Sequence, residues 1–307
     1  MAWEVRGERG EGRGPLFPAA PLRRRAGGGL LRHLSFMLRQ VTRAILPGWM
    51  WSRIRVLRNR FAVARFRERI VEHRHGGFDI HIALTDPLAC GWYDHDSDMR
   101  EIDLLRRHGL RAGARVFNLG AHQGVVASVL ARAVGPQGHV FAIEANPRDA
   151  DLANRNKDLN GLDQLTVINA AATAESGTCF FHTLDGRLER SGNSGPGVVA
   201  LPAVSIDDLA DQHGQPDVLF VDIEGAEGEA LRGAARTLAT TPDCFLEVHV
   251  DCLGAWGDTV DTILNFFGKD RYDRFVASEG EPEFTRLENA AHLLGRRFFL
   301  VAIAKRG

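Results

Sequence analysis

From Arg115 onward the chain reads as a doubly wound α/β domain, and three observations carry that reading. Short apolar runs alternate with amphipathic stretches as strand, helix, strand, helix; this order makes right-handed βαβ units and a parallel sheet with helices on both faces. The first run, Val116-Phe117-Asn118-Leu119, passes at once into Gly120-x-x-x-Gly124, whose glycines admit positive φ and close backbone approach. The second run, 139–143, ends in the acid Glu144, about twenty residues further on.

The remaining elements follow in order. A helix through Val125, Val129, Leu130 and Ala133 stops at Gly135-Pro136. Pro147 opens another, reaching Asn160-Gly161, and 165–168 is the third strand. Segment 184–197 sets Gly186, Gly192, Gly195 and Gly197 among Arg187, Glu189, Arg190, Ser191 and Asn193; it reads as a polar surface loop or a lid over a ligand. Strand 217–221 ends in Asp222, Glu224-Gly225 leads into a helix over 226–239, and strand 244–248 ends in His249. Two further strands, at 275–276 and 298–303, complete the sheet.

Ahead of this domain the composition changes. Of the 307 residues, 44% are hydrophobic and 25% charged, values that exclude a collagen-like or wholly disordered chain. Residues 1–75, however, carry 17 arginines against 5 acidic residues, net +12, whereas the remainder is net −13. Residues 1–29, rich in glycine and proline, are expected to be a disordered tail. Residues 30–75 are expected to form a basic helical extension, because Leu31, Leu34, Leu38, Val41 and Ile45 recur at helical spacing and an arginine-laced stretch continues to Arg74. Packing on the main domain is the favoured role for this arm, and peripheral contact with an anionic membrane is the other. The main domain is drawn over 76–307, with its nucleotide-binding core at about 112–305. Before that core, Phe78-Asp79-Ile80-His81-Ile82 alternates as a strand should, Asp86-Pro87 turns the chain, and a helix occupies 97–108. The cysteines Cys90, Cys179, Cys244 and Cys252 form no Cys-x-x-Cys pair, and Arg23-Arg24-Arg25 is not followed by an apolar export segment. Reduced thiols and a cytoplasmic location follow as expectations.

In a sheet of this kind the ligand binds at the carboxyl ends of the strands, beside the point where the strand order reverses. The polar residues there are Asn118, Glu144, Asp222, Glu247 and His249. The glycine turn and the helix start after it suit an anionic group, and Glu144 suits two ribose hydroxyls. A nucleoside-bearing cofactor is expected. Its class is not settled by spacing, since Gly120-x-x-x-Gly124 departs from the G-x-G-x-x-G of nicotinamide sites and also suits plain helix packing.

The motifs taken together resemble those of FkbM-type methyltransferases: Val116-Phe-Asn-Leu-Gly-Ala-His-Gln-Gly124, Val140-Phe-Ala-Ile-Glu-Ala-Asn-Pro147, Val167-Ile-Asn-Ala-Ala171, Val204-Ser-Ile-Asp-Asp-Leu209, Val221-Asp-Ile-Glu-Gly-Ala-Glu227 and Leu246-Glu-Val-His249. The resemblance covers about residues 76–305. It implies a class I methyltransferase (Rossmann-like) fold with a seven-stranded, mostly parallel sheet. It also implies S-adenosyl-L-methionine as donor and O-methylation of a sugar or secondary metabolite. Carried over residue by residue, the cofactor site comprises Asn118, Gly120, Ala121, His122, Gly124, Glu144, Asn146, Ala170 and Asp222. Two positions depart from the family pattern: Asn118 stands where aspartate is usual and Phe220 where lysine is common.

Methyl transfer needs a base beside the acceptor. His249 and Asp222 are the candidates, with His249 favoured because an unperturbed imidazole titrates near neutrality. Glu224 and Glu227 are given loop-orienting or helix-capping roles. Asp222, Glu224 and His249 have the chemistry to hold a divalent cation, but no metal is assigned. The expected acceptor is a small molecule, sugar or glycan; nucleic acid is disfavoured by the acidic body and by Asp222-Ile-Glu-Gly225 in place of an Asn/Asp-Pro-Pro-aromatic motif.

Overall fold

The computed structural model describes residues 63, 65–184, 187–191, 194–278, 281, 283–289 and 297–306. The expected tail 1–29 and nearly all of the arm ahead of residue 65 lie outside the described residues. The chain divides into two compact units, Met1–Glu68 with Thr85–Trp92, and Arg69–Leu84 with Tyr93–Gly307. In the first, Asp86 does more than turn the chain: its Oδ1 accepts from the backbone N–H groups of Leu88 and Ala89, both at 2.9 Å. With Pro87 in the first turn this caps a helix, Pro87–Tyr93, whose last residue belongs to the second unit.

The second unit opens with a hairpin of β1 (Arg69–His75) and β2 (Phe78–Leu84), paired from Arg69↔Leu84 to His75↔Phe78. This corrects the helix expected to run to Arg74 and moves the domain's start from 76 to 69. Gly76 and Gly77, at φ 52° and 86°, form the turn that returns the chain, and pairing with the alternating 78–84 segment overrides helix propensity.

The central sheet uses β3 (Arg115–Leu119), β4 (His139–Glu144), β5 (Leu165–Asn169), β10 (Val218–Val221), β11 (Asp243–His249), β12 (Tyr272–Ser278), β13 (Thr285–Arg286) and β14 (Arg297–Ala304). Its order is β13-β12-β14-β11-β10-β3-β4-β5. The strands from β5 to β11 are parallel, and β14 runs antiparallel between β11 and β12. All seven expected strands are present, and β13 adds a two-residue edge. Strand order reverses at β3, which lies between β4 and β10, so the ligand crevice opens at the ends of these three. One face buries Phe117, Leu119, Ile143, Leu219, Val221, Leu246 and Leu300, each contributing about 1.5–3 kcal/mol.

Two elements differ from expectation. Residues of the 184–197 segment form β8 (Arg187–Ser191), which pairs with β7 (Gly177–Leu184); β7 pairs in turn with β9 (Val198–Val204), and β6 (Ala171–Ala172) completes this second sheet. The helix expected over 226–239 is two, Glu227–Arg232 and Ala235–Ala239. The break falls at Gly233, where a Cβ would overlap the Thr173 carbonyl and where the Gly233 carbonyl accepts from Asp207 N–H at 2.8 Å.

The helix Pro147–Leu159 is capped by Asn146, whose side chain accepts from Arg148 N–H at 3.1 Å. Its last turns carry Asn156 and Asn160 on one face, and these amides grip β2. Asn160 exchanges hydrogen bonds with both backbone groups of His81, and Asn156 Oδ1 accepts from Ala83 N–H at 2.8 Å. Among the described residues no helix is long and apolar enough to cross a membrane.

Candidate active site at the strand ends

The turn after β3 is built by backbone geometry. Gly120 has φ 80°, and a Cβ there would overlap the carbonyl oxygen of Asp222. The close approach that demands a glycine is therefore made by the neighbouring strand's own backbone. Gly124, at φ 76°, precedes the helix Val125–Val134, and a Cβ there would lie 2.8 Å from that of Ala153. Its role is to let two helices pack.

Gly120 and Ala121 both donate to the Ile143 carbonyl, at 2.9 and 3.0 Å, which clamps the turn to the end of β4. His122 takes φ 48°, an uncommon conformation for a side-chain-bearing residue, and its N–H donates to Glu144 Oε2 at 2.7 Å. Asn146 N–H donates to Oε1 of the same carboxyl at 2.8 Å. Burial pushes the Glu144 carboxyl up to about 7 even though these N–H groups favour its ionised form. Asn118 is buried, and its Oδ1 has no partner; the same holds for Oε1 of Gln123. Ala170 is buried, its N–H donating to the Glu144 carbonyl at 3.1 Å, and the Asn146 side chain is occupied in capping. Asn118, Gly120, Ala121, His122, Glu144 and Asp222 thus gather around the crevice, with Gly124, Asn146 and Ala170 as its scaffold.

At the ends of β10 and β11 lies an ionic cluster. One ligand atom each from Asp222, Glu247 and His249 falls within 4.8 Å of the others, so Glu247 joins the cluster in the place expected for Glu224. His249 Nδ1–H donates to Glu227 Oε1 at 3.0 Å, and its Nε2 lies 3.5 Å from Glu247 Oε1, which also meets Arg297 at 3.0 Å. Cationic side chains of the protein therefore already face these carboxylates. Burial works against the charged imidazole, but the bond from Glu227 and the nearby Asp222 and Glu247 outweigh it and raise His249 to about 9. Raised in this way, His249 favours its charged form near neutral pH, and Asp222 stands beside it as the other candidate base. Asp222 is raised well above the usual carboxylate range, first by burial and then by the charge of Glu247, which makes its ionised form the more basic carboxylate. Glu227, wholly buried, also accepts from Gly225 N–H at 2.9 Å and so orients the loop containing Glu224.

Glu227 as the histidine's partner was not recognisable from spacing, because the contact joins a helix start to a strand end across 22 positions. Tyr93, whose hydroxyl lies 2.8 Å from His122 Nδ1, carried no signal at all.

The methyltransferase FkbM domain matches residues 118–275, just over half of the chain. The chain belongs to the FkbM methyltransferase family. A protein-L-isoaspartate O-methyltransferase of Hyperthermus butylicus is 34% identical over 98 residues, covering 29% of this chain and 41% of that protein. One from Ignicoccus hospitalis is 39% identical over 59 residues, covering 19% and 28%. The chain thus spans well under half the length of these relatives. Among solved structures it is similar to methyltransferase FkbM from Methylobacillus flagellatus, at 18% identity, TM-score 0.39, and coverage of 61% of this chain and 43% of that one. A putative O-methyltransferase from Klebsiella pneumoniae matches at 14% identity and TM-score 0.42, covering 87% and 96%.

For an FkbM-family domain the cofactor is S-adenosylmethionine, and the crevice fits it. The orphaned Oδ1 of Asn118 offers a buried acceptor to a cationic group, and the two oxygens of Glu144, each already accepting one backbone N–H, keep a second lone pair for a hydroxyl. Phe220, the second departure from the family pattern, is buried. Its ring stacks on Phe245 at 4.2 Å, and Phe245 lies 6.0 Å from Phe299. Phe220 and Phe245 thus form an aromatic row beside Asn118, in register across β3, β10 and β11.

Proposed function

We propose that this FkbM-family domain transfers a methyl group to a hydroxyl of a small acceptor, a sugar or other secondary metabolite, with Asp222 removing the proton. The observation that supports this reading is the cluster at the ends of β10 and β11: His249, held between Glu227 and Glu247, stands within 4.8 Å of Asp222, and its charge opposes the burial that favours the protonated form of that carboxyl. S-adenosylmethionine supplies an electrophilic methyl on a sulfonium. In-line displacement at such a carbon asks the protein chiefly for position and for a proton acceptor. Asn118 and Glu144 hold the cofactor's polar ends, Gly120 keeps Asp222 against the turn, and His249 compensates the acids around it. The carboxylates Asp222, Glu224 and Glu247 disfavour a phosphate backbone as acceptor.

Methyl-labelled S-adenosylmethionine, incubated with the full chain and separate fractions of small metabolites, glycans, protein and nucleic acid, tests the reading. The expected product is an alkali-stable methyl ether in the metabolite or glycan fraction. Label confined to nucleic acid, or to a base-labile ester on protein, would reject it.

A further inference from the structure

His73 and His75 alternate with Arg74 on β1, so their side chains share a face. Their ring centroids lie 6.4 Å apart, and that of His75 lies 6.5 Å from His95. The segment that follows Tyr93 is fastened to this strand. His73 Nε2 lies 3.1 Å from Asp94 Oδ1 and its Nδ1 3.2 Å from Asp96 Oδ1, while Arg69 also meets Asp94. Arg74 N–H donates to Asp96 Oδ1 at 3.0 Å, Ser97 N–H to the Arg74 carbonyl at 2.9 Å, and Gly76 N–H to the Ser97 carbonyl at 2.9 Å. All of these residues belong to the second compact unit, and the fastened segment runs into the helix Arg100–Arg106.

The two strand histidines answer acid differently. His73 has a carboxylate at each ring nitrogen, and an imidazole donates from both only when doubly protonated, so a proton gained there strengthens the fastening. His75 is 1% exposed, and neither of its ring nitrogens has a hydrogen-bond partner. It stands opposite Phe78, whose ring lies under the Arg106 guanidinium, and a Cβ on the adjoining Gly76 would meet Val129 and Met99. Burial holds the His75 imidazole below its ordinary value, His95 and His73 add to this, and the Tyr93 backbone and Asp96 offset only part of it. Acid gathers His73, His75, His95, Arg69 and Arg74 as cations about Asp94 and Asp96, with Asp79 already held by Arg74. A partly exposed ion pair gains little and a buried unpaired charge costs much more, so His75 decides the response. A group held below its unfolded value of 6.5 withdraws stability as pH falls under 6.5. We propose that His75 is the trigger of an acid-released latch, its protonation freeing residues 94–97 from β1 and loosening the start of the helix Arg100–Arg106.

Hydrogen exchange of the full chain at about pH 7.5 and about pH 5.5, each corrected for the intrinsic exchange rate, tests the latch. Relative to amides of β3, those of Gly76 and Ser97 are expected to lose about tenfold or more in protection in acid. His75→Phe, which removes the titrating group and forfeits no hydrogen bond, is expected to abolish that acid step. His73→Gln is expected to lower protection at both pH values and to retain the step. An undiminished step in His75→Phe, or none in wild type, would overturn the proposal. Should that variant not fold, histidine NMR of the wild-type chain decides: the His75 resonance should titrate below 6.5 in step with the loss of protection. Titration at or above that value, or out of step with the opening, would overturn it equally.

Discussion

Glu227 Oε1 accepts from His249 Nδ1 at 3.0 Å, joining the start of the helix Glu227–Arg232 to the end of β11. A fully buried carboxylate against a mostly buried imidazole makes a cation of a residue that would otherwise titrate near neutrality.

Stability should record this pair. Unfolded, His249 takes the usual value of 6.5; folded, it is raised to about 9. Its contribution is therefore complete below about pH 6.5 and lost as pH climbs through 9. Thermal melts should show wild type losing about 2–3 kcal/mol across that window by linkage. His249→Gln, with no proton to lose, should start lower and stay flat there. A variant that falls as steeply as wild type would place the titration on another group.

Asp222→Asn keeps the side chain's size and removes the proton acceptor. Once an acceptor is found, single-turnover methyl transfer should drop by about a hundredfold or more, with S-adenosylhomocysteine affinity within a few fold of wild type. His249→Gln should slow the reaction less, because its charge compensates the acids and takes no proton. The reverse ranking would return the base role to His249.

In the proposed site, Glu144 is expected to give cofactor binding a pH dependence of its own. Burial raises its carboxyl to about 7, and only the ionised form accepts through both oxygens. S-Adenosylhomocysteine affinity should fall as pH drops from 8 to 6. Glu144→Gln should bind weakly and show a flat profile over the same range; a retained slope would mean another group titrates.

These residues differ in how legible they were. The strand ends could be read because apolar runs stop at polar residues, and Asn118, Glu144, Asp222 and His249 all sit at such stops. The strand β1 could not, since Arg69–His75 alternates only weakly and its pairing is set by the Gly76-Gly77 turn. The break at Gly233 depends on the Thr173 carbonyl, some sixty positions away, and no local propensity records it. The charge of His249 was less legible than its place, because a pKa follows from tertiary neighbours: Glu227, Asp222 and Glu247 raise it, and the contact with Glu227 is not visible in spacing.

Gly120 illustrates the same distinction and yields a test. A side chain there meets the Asp222 carbonyl at φ 80°, so Gly120→Ala should lower stability in ligand-free buffer by about 2 kcal/mol or more. Any loss of cofactor affinity should then accompany the loss of fold. A variant with unchanged melting temperature and abolished binding would show that the ligand, not the strand, fills the space beside Gly120.

Asn156 links the hairpin, the helix and the turn after β3 in one side chain. It is fully buried; Oδ1 accepts from Ala83 N–H at 2.8 Å and Nδ2 donates to the Gln123 carbonyl at 2.7 Å. Asn156→Ala strands a backbone donor on β2 and a backbone acceptor in the turn, each worth about 1–3 kcal/mol when left unpaired, so a total loss of about 2–5 kcal/mol is expected. Asn156→Asp separates the two contacts: a carboxylate still accepts from Ala83 but faces the Gln123 carbonyl with an oxygen. In that variant hydrogen exchange should leave Ala83 protected and accelerate at residues 120–124, and S-adenosylhomocysteine should bind more weakly. Equal deprotection of both segments would show that Asn156 holds the hairpin and turn as one cooperative unit, and not by two separable bonds.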